Sequence, residues 1–176
     1  MRNIAIVFIA ILLPLFIHAA EVSEKEASWV ACNYFNEMIS GEGQSPVGLA
    51  SVVLYSTMGD ATGHALHIFN IGTQGFVIVS AEDETYPVLG WSDESLFGEK
   101  EQPPALKEWL LGYIRQIDYI RTNSLDGGFS IEEAWKRYRM LPSSFTSTAT
   151  KNTSVAPLLT CNWDQDSYYN ALCPDD

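Results

Sequence analysis

The segment from Val52 to Ser92 carries four strand signals in succession, and only short turns separate them. The first signal is β-branched and aromatic, the second alternates, and the third is a continuous apolar run suited to a central strand. Strands joined by short connections pair antiparallel, because a parallel pair needs a long crossover. We therefore predict a small antiparallel sheet of about four strands. The predicted strands are Val52–Tyr55, His64–Ile71, Phe76–Val79 and Val88–Ser92.

Helical signals lie on both sides of this segment. Ser23 and Glu26 form a capping box that opens the first predicted helix. Pro103–Pro104 open a second helix with a broad apolar stripe, and Ser130 with Glu133 forms a capping box for a third. A helix, consecutive strands and then further helices are typical of the α+β class. We expect the helices to cover one face of the sheet.

Residues 1–20 have the layout of a secretory signal peptide, with a basic start, an apolar run and small residues at Ala19 and Ala20. The predicted location is therefore secreted or periplasmic, with no membrane contact after the signal is cleaved. The chain has 22 acidic and 10 basic residues and a net charge of −12. Because such a surface repels phosphate backbones, the composition disfavours nucleic-acid binding.

Residues 143–153 differ in composition from the segments on either side. Small hydroxyl side chains dominate, and Lys151 is the single charged residue among them. This composition is typical of an exposed linker, the kind of segment that proteases cut. The sequence thus predicts a signal peptide at 1–20, a folded domain at 21–142, a linker at 143–153 and a tail at 154–176.

Few residues suggest catalysis or metal binding. His64 and His67 lie three apart in a predicted strand, so we expect their side chains on opposite faces, unable to chelate one metal without a bulge. The carboxylates of Glu82, Asp83 and Glu84 are adjacent in a strand connection, where we expect solvent to surround them. Nucleophile, nucleotide-binding and metal-binding motifs are absent from the sequence, so we expect no cofactor and no metal.

The cysteines leave one question open. After export to an oxidising compartment, Cys161 and Cys173 either form a disulfide or remain free thiols. Cys32 lies on a predicted helix face, and we expect it to be a small buried apolar residue.

The sequence resembles the streptopain family of cysteine peptidases in two segments. Leu66–Phe97 is similar to the family's prosegment, the Spi inhibitor domain, in the residues LHIFNIGTQGFVIVSAEDETYPVLGWSDESLF. Ser154–Pro174 resembles the start of the mature, papain-like peptidase domain in the residues SVAPLLTCNWDQDSYYNALCP. With the flanking helices, the resemblance covers nearly all of the chain after the signal.

The resemblance implies an inhibitory prosegment that docks on a cysteine peptidase catalytic domain, in cis or in trans, and keeps it latent until the linker is cut near Lys151 or Asn152. It also implies that residues 154–176 are the short, unpaired start of a papain-like domain, in which Gln165 matches the oxyanion-hole glutamine. The family's nucleophilic cysteine and catalytic histidine have no counterparts in the sequence, so we do not expect this chain to be an enzyme as given. For an inhibitor that acts in trans, we expect contact with the peptidase at strand edges and in the Asp83–Trp91 connection. The candidate contact residues are Asn70, Asp83, Tyr86 and Trp91.

Three functions are compatible with these features. The first is an inhibitory propeptide, truncated before the catalytic cysteine and histidine. The second is the N-terminal fragment of an active, secreted cysteine endopeptidase zymogen. The third is a stand-alone secreted protease inhibitor that acts in trans.

Overall fold

The computed structural model describes residues 21–40, 45–99 and 102–147, which form an α+β fold. The predicted fold class is confirmed: four strands form one antiparallel sheet, and three α-helices pack on it. In chain order the elements are α1 (Glu24–Ile39), β1 (Val52–Asp60), β2 (Gly63–Ile71), β3 (Gly75–Ser80), β4 (Val88–Ser92), α2 (Pro104–Asn123) and α3 (Phe129–Tyr138). Among the described residues, no helix is both long and apolar enough to cross a bilayer.

The sheet has the strand order β1-β2-β3-β4, so each strand pairs with its neighbours in sequence. β1 continues to Asp60, five residues beyond the predicted end at Tyr55, because pairing with β2 carries it through the polar residues Ser56 and Thr57. The pairing of β1 with β2 is irregular in two places, between Leu54 and Ser56 and between Met58 and Gly59. β4 pairs only with β3 and is therefore an edge strand.

Helices lie against both faces of the sheet, and the expectation that they cover one face is wrong. α1 and α3 pack on the face that carries Phe69 and Val77, whereas α2 packs on the face that carries Ile68 and Ile78. The physical reason lies in β2 and β3, which are apolar on both sides and therefore need cover on both. The predicted alternation of β2 side chains between the two faces is confirmed: Leu66 and Ile68 lie on the face covered by α2, and Phe69 lies on the opposite face.

The helix starts show how far local sequence controls this fold. The capping box of α1 is confirmed: Glu26 N donates to Ser23 Oγ at 3.3 Å, and Ser23 N donates to Glu26 Oε2 at 3.3 Å. The capping box predicted for α3 is wrong, because Ser130 lies inside the helix and Gly128, with a φ of 79°, is the N-cap. A left-handed φ is easy for glycine, which allows the chain to turn sharply between α2 and α3.

The domain boundaries stay predictions. The signal peptide at 1–20 and the tail at 154–176 lie outside the described residues. The first residues of the predicted linker do make contacts: Ser147 Oγ donates to Ser40 Oγ at 3.1 Å, and the Phe145 ring lies 6.1 Å from that of Tyr138. The polypeptide therefore follows the end of α3 back to α1 before it enters the rest of the linker.

Candidate functional site

The connection between β3 and β4, residues 81–87, contains a buried ion pair. Glu82 is fully buried, and its Oε2 accepts from Arg121 Nε of α2 at 2.6 Å. Arg121 Nη2 also donates to the carbonyls of His64 and Ala81, at 2.7 and 3.0 Å. Burial raises the pKa of Glu82 from its ordinary value of 4.5, and Arg121 opposes that rise. The expectation of a solvated carboxylate is therefore wrong for Glu82.

An ion pair and two hydrogen bonds join this β3–β4 connection to the segment after α2. They link Asp83 Oδ2 to Arg139 Nη2 at 3.5 Å, Glu84 Oε2 to Gly127 N at 2.6 Å, and Thr85 O to Trp135 Nε1 at 2.7 Å. The connection also closes on itself, since the Thr85 hydroxyl donates to Ser80 Oγ at 2.6 Å. An acidic turn that the sequence presents as a solvated loop is thus a structured element bonded to α2, α3 and the turn between them.

Polar contacts also bind α3 to α1. The side-chain amide of Asn33 donates to the carbonyls of Tyr138 and Met140, at 2.9 and 2.7 Å. Arg137 pairs with the buried carboxylate of Glu37 through both Nε and Nη2, and this partner raises the pKa of Arg137. These bonds fix the orientation of α3, which in turn places Trp135 beneath the β3–β4 connection.

The four candidate contact residues do not form one cluster. Asp83 and Tyr86 share the β3–β4 connection, and 55% of Tyr86 is exposed. Trp91 lies on the edge strand, where its ring packs edge-on against Tyr34 at 6.2 Å. Asn70 uses both polar atoms of its amide inside the fold: Oδ1 accepts from Phe97 N at 2.8 Å and Nδ2 donates to Phe97 O at 3.3 Å. The side-chain amide of Asn70 therefore has a structural role, and Tyr86 and Trp91 remain the candidates with exposed rings.

The two histidines lie closer than the strand period predicts. The pairing of β1 with β2 skips Ala65, and this bulge brings the rings of His64 and His67 to a centroid distance of 5.9 Å. The buried ring of His67 bonds to Thr57 Oγ1 at 2.9 Å and to Val22 O at 3.3 Å, and burial lowers its pKa. The expectation of opposite faces is wrong, because the bulge at Ala65 shifts His64 out of the alternation that holds from Leu66 onwards. Both ring nitrogens of His67 are used, and the described residues contain no group of three side chains fit to bind a metal.

The remaining predicted sites fall in two groups. Cys32 is buried with a pKa raised by burial, as expected for a small structural cysteine. Lys151, Asn152, Cys161, Gln165 and Cys173 lie outside the described residues.

Sequence reasoning missed a groove between the β3–β4 connection and the start of α3. It encloses about 690 Å³. Its lining includes Asp83, Glu84, Leu125, Phe129, Trp135 and Arg139. Phe129 is 77% exposed and Leu125 is 43% exposed, although both are large and apolar. The available sequence signal was Phe129 directly after Gly127-Gly128, an apolar residue with no place in a helical stripe.

Residues 19–117, more than half of the chain, match the family described as Spi protease inhibitor. The chain is also 29% identical over 164 residues to the thiol protease/hemagglutinin PrtT of Porphyromonas gingivalis. That alignment covers 92% of this chain and 18% of the relative, so the chain spans about a fifth of the relative's length. No solved structure matches significantly. On the strength of the family match, this chain belongs to the Spi protease inhibitor family.

Proposed function

We propose that this chain is an inhibitory propeptide that keeps a secreted, streptopain-like cysteine peptidase latent. The observation that carries the proposal is the family match, which runs from the start of the described domain into α2. The similarity to a thiol protease supports a peptidase as the partner. Within residues 1–176 the proposed role is inhibition, because these residues carry no recognisable nucleophile motif.

Latency would follow from docking of the folded domain on the catalytic domain. The β3–β4 connection supports this role because its position is fixed by Arg121, Gly127 and Trp135, so little conformational entropy is lost on binding. Tyr86 and Trp91 would supply exposed aromatic surface. Asp83 is a further contact candidate, although it already pairs with Arg139. Neither a cofactor nor a metal is needed for inhibition of this kind.

The proposed processing follows from the domain organisation. The signal at 1–20 directs export, and a cut near Lys151 or Asn152 in the linker releases the inhibitory domain from residues 154–176. Gln165 would then belong to the peptidase side as its oxyanion-hole glutamine. N-terminal sequencing of secreted fragments tests this: we expect a new terminus within 143–153, and a first cut inside Phe76–Ser92 would contradict it.

The experiment that tests inhibition is a titration. The chain from Glu21 onwards is added to purified streptopain and to the PrtT thiol protease, and hydrolysis of a fluorogenic peptide is followed. We expect inhibition of at least one enzyme at or below micromolar concentration. Full activity of both enzymes at ten times that concentration would refute action in trans.

A second candidate is the N-terminal part of an active zymogen, which would inhibit in cis. The alignment with the thiol protease favours it, because that alignment covers 92% of the chain and so extends past the family-matched residues. The DNA after the codon for Asp176 tests it. A continuing frame with a nucleophilic cysteine motif would establish the zymogen, whereas an immediate stop codon would leave action in trans.

A further inference from the structure

The groove between the β3–β4 connection and α3 combines exposed apolar side chains with a rigid backbone. Phe129 is the first residue of α3, and Leu125 lies in the turn between α2 and α3. Tyr86, the single aromatic residue of the β3–β4 connection, is 55% exposed and reaches the same region, since its hydroxyl lies 3.4 Å from Ser130 Oγ. Three large side chains thus stay exposed to solvent around one concave surface. The fold of this domain does not gain the free energy that burial of these side chains would release.

The backbone that carries these side chains is fixed by hydrogen bonds. Glu84 Oε2 accepts from Gly127 N at 2.6 Å, and Asp126 Oδ1 accepts from Gly128 N at 2.7 Å. The indole of Trp135 donates to Thr85 O from below. A surface whose exposed side chains sit on a fixed backbone loses less entropy when it binds, and such side chains are the usual binding anchors.

The charge of the groove indicates what can cover it. Its lining holds four carboxylates and two basic side chains. Arg139 is paired with Asp83 and Lys136 with Glu133, whereas Glu132 has no ion-pair partner among the described residues. Together with the net charge of −12, the groove therefore favours a partner surface that is apolar at its centre and carries lysine or arginine at its rim.

We propose that this groove is the surface on which the inhibited peptidase docks, with an apolar patch of the peptidase covering Phe129 and Leu125 and basic residues of the peptidase facing Asp126 and Glu132. The inference rests on the proposed function and adds to it contact residues beyond the family match, which ends at residue 117. α3 and the turn before it then belong to the inhibitory unit and do more than connect it to the linker.

The test compares inhibition constants of single variants of the chain from Glu21 onwards. We expect Phe129→Ala to weaken inhibition at least tenfold, because an apolar anchor at the centre of an interface typically contributes that much. Tyr119→Ala is the matched control: Tyr119 is 62% exposed on α2 and does not line the groove, so its inhibition constant should stay within twofold of wild type. Glu132→Gln should slow association and make the association rate less sensitive to salt.

Each outcome decides a different claim. Equal inhibition constants for wild type, Phe129→Ala and Tyr119→Ala would overturn this inference and leave the proposed function standing. No inhibition by wild type would overturn both. If gel filtration showed that Phe129→Ala abolishes a dimer of this chain while its inhibition constant stays unchanged, the occupant would be a second copy and the inference would be wrong.

Discussion

Arg121 binds acceptors from separate parts of the chain: the carboxylate of Glu82 and the carbonyls of His64 and Ala81. None of these partners is near it in sequence, and Glu82 lies 39 residues away. This is why the sequence predicts the Ser23–Glu26 capping box but not the ion pair of the acidic turn. A capping box needs only local spacing, whereas burial of Glu82 depends on where α2 crosses the sheet.

The ion pair gives the first prediction. Arg121→Met should destabilise the domain by about 3–5 kcal/mol, because it leaves the carboxylate of Glu82 buried without a compensating charge. Urea unfolding followed by tryptophan fluorescence measures the change. The control is Lys136→Met, which removes the exposed pair with Glu133 and should cost less than about 1 kcal/mol. Equal losses for the two variants would show that Glu82 is solvated, as the sequence suggests.

His67 gives a prediction about pH. Its pKa in the fold is lowered from the ordinary value of 6.5, so the unfolded chain binds more protons in the window between the two values. The contribution of neutral His67 to the free energy of unfolding is therefore fully present above pH 6.5, and it is lost as the pH falls through the lowered pKa of His67. Between pH 7.5 and 5, the unfolding free energy of His67→Gln should fall less steeply than that of wild type. Parallel curves would mean that His67 titrates normally and is not desolvated.

At the scale of elements, the strands and their antiparallel order follow from the sequence because period and turn spacing are local. The bulge at Ala65 does not, since it arises from a mismatch between two paired strands. The start of α3 was misplaced for a related reason. Ser130 and Glu133 have the spacing of a capping box, but Gly127 must approach the β3–β4 connection closely, and this shifts the turn to Gly127-Gly128.

That close approach gives the third prediction. A Cβ on Gly127 would lie 2.5 Å from Glu84 O, so Gly127→Ala should destabilise the domain by about 1–3 kcal/mol through a forced backbone shift. Gly112→Ala is the matched control, because a Cβ there meets nothing within 4 Å. Since Gly112 is inside α2, the control should stabilise the protein by up to about 1 kcal/mol. A neutral Gly127→Ala would mean that the turn is not bonded to Glu84 in solution.

At the scale of the whole molecule, the sequence predicted the α+β class and the family, but not the arrangement of the helices on two faces. Amphipathic stripes identify which side of each helix is buried, yet they do not say which face of the sheet receives it. The sequence analysis expects the peptidase contact at strand edges and in the Asp83–Trp91 connection, and this expectation stays a prediction. The structure adds the groove beside α3, since only the tertiary fold brings Phe129 next to residues of that connection.

The central proposal is that the folded chain docks on a cysteine peptidase, keeps it latent and makes its catalytic thiol less reactive. Alkylation of the catalytic thiol tests this most directly: the peptidase is treated with iodoacetamide, with and without an excess of the chain from Glu21 onwards, and the rate of labelling is measured by mass spectrometry. We predict that the chain slows labelling at least tenfold, and that chain unfolded in advance by Arg121→Met and mild denaturant gives no protection. An unchanged labelling rate while the chain is bound to the enzyme would contradict the account.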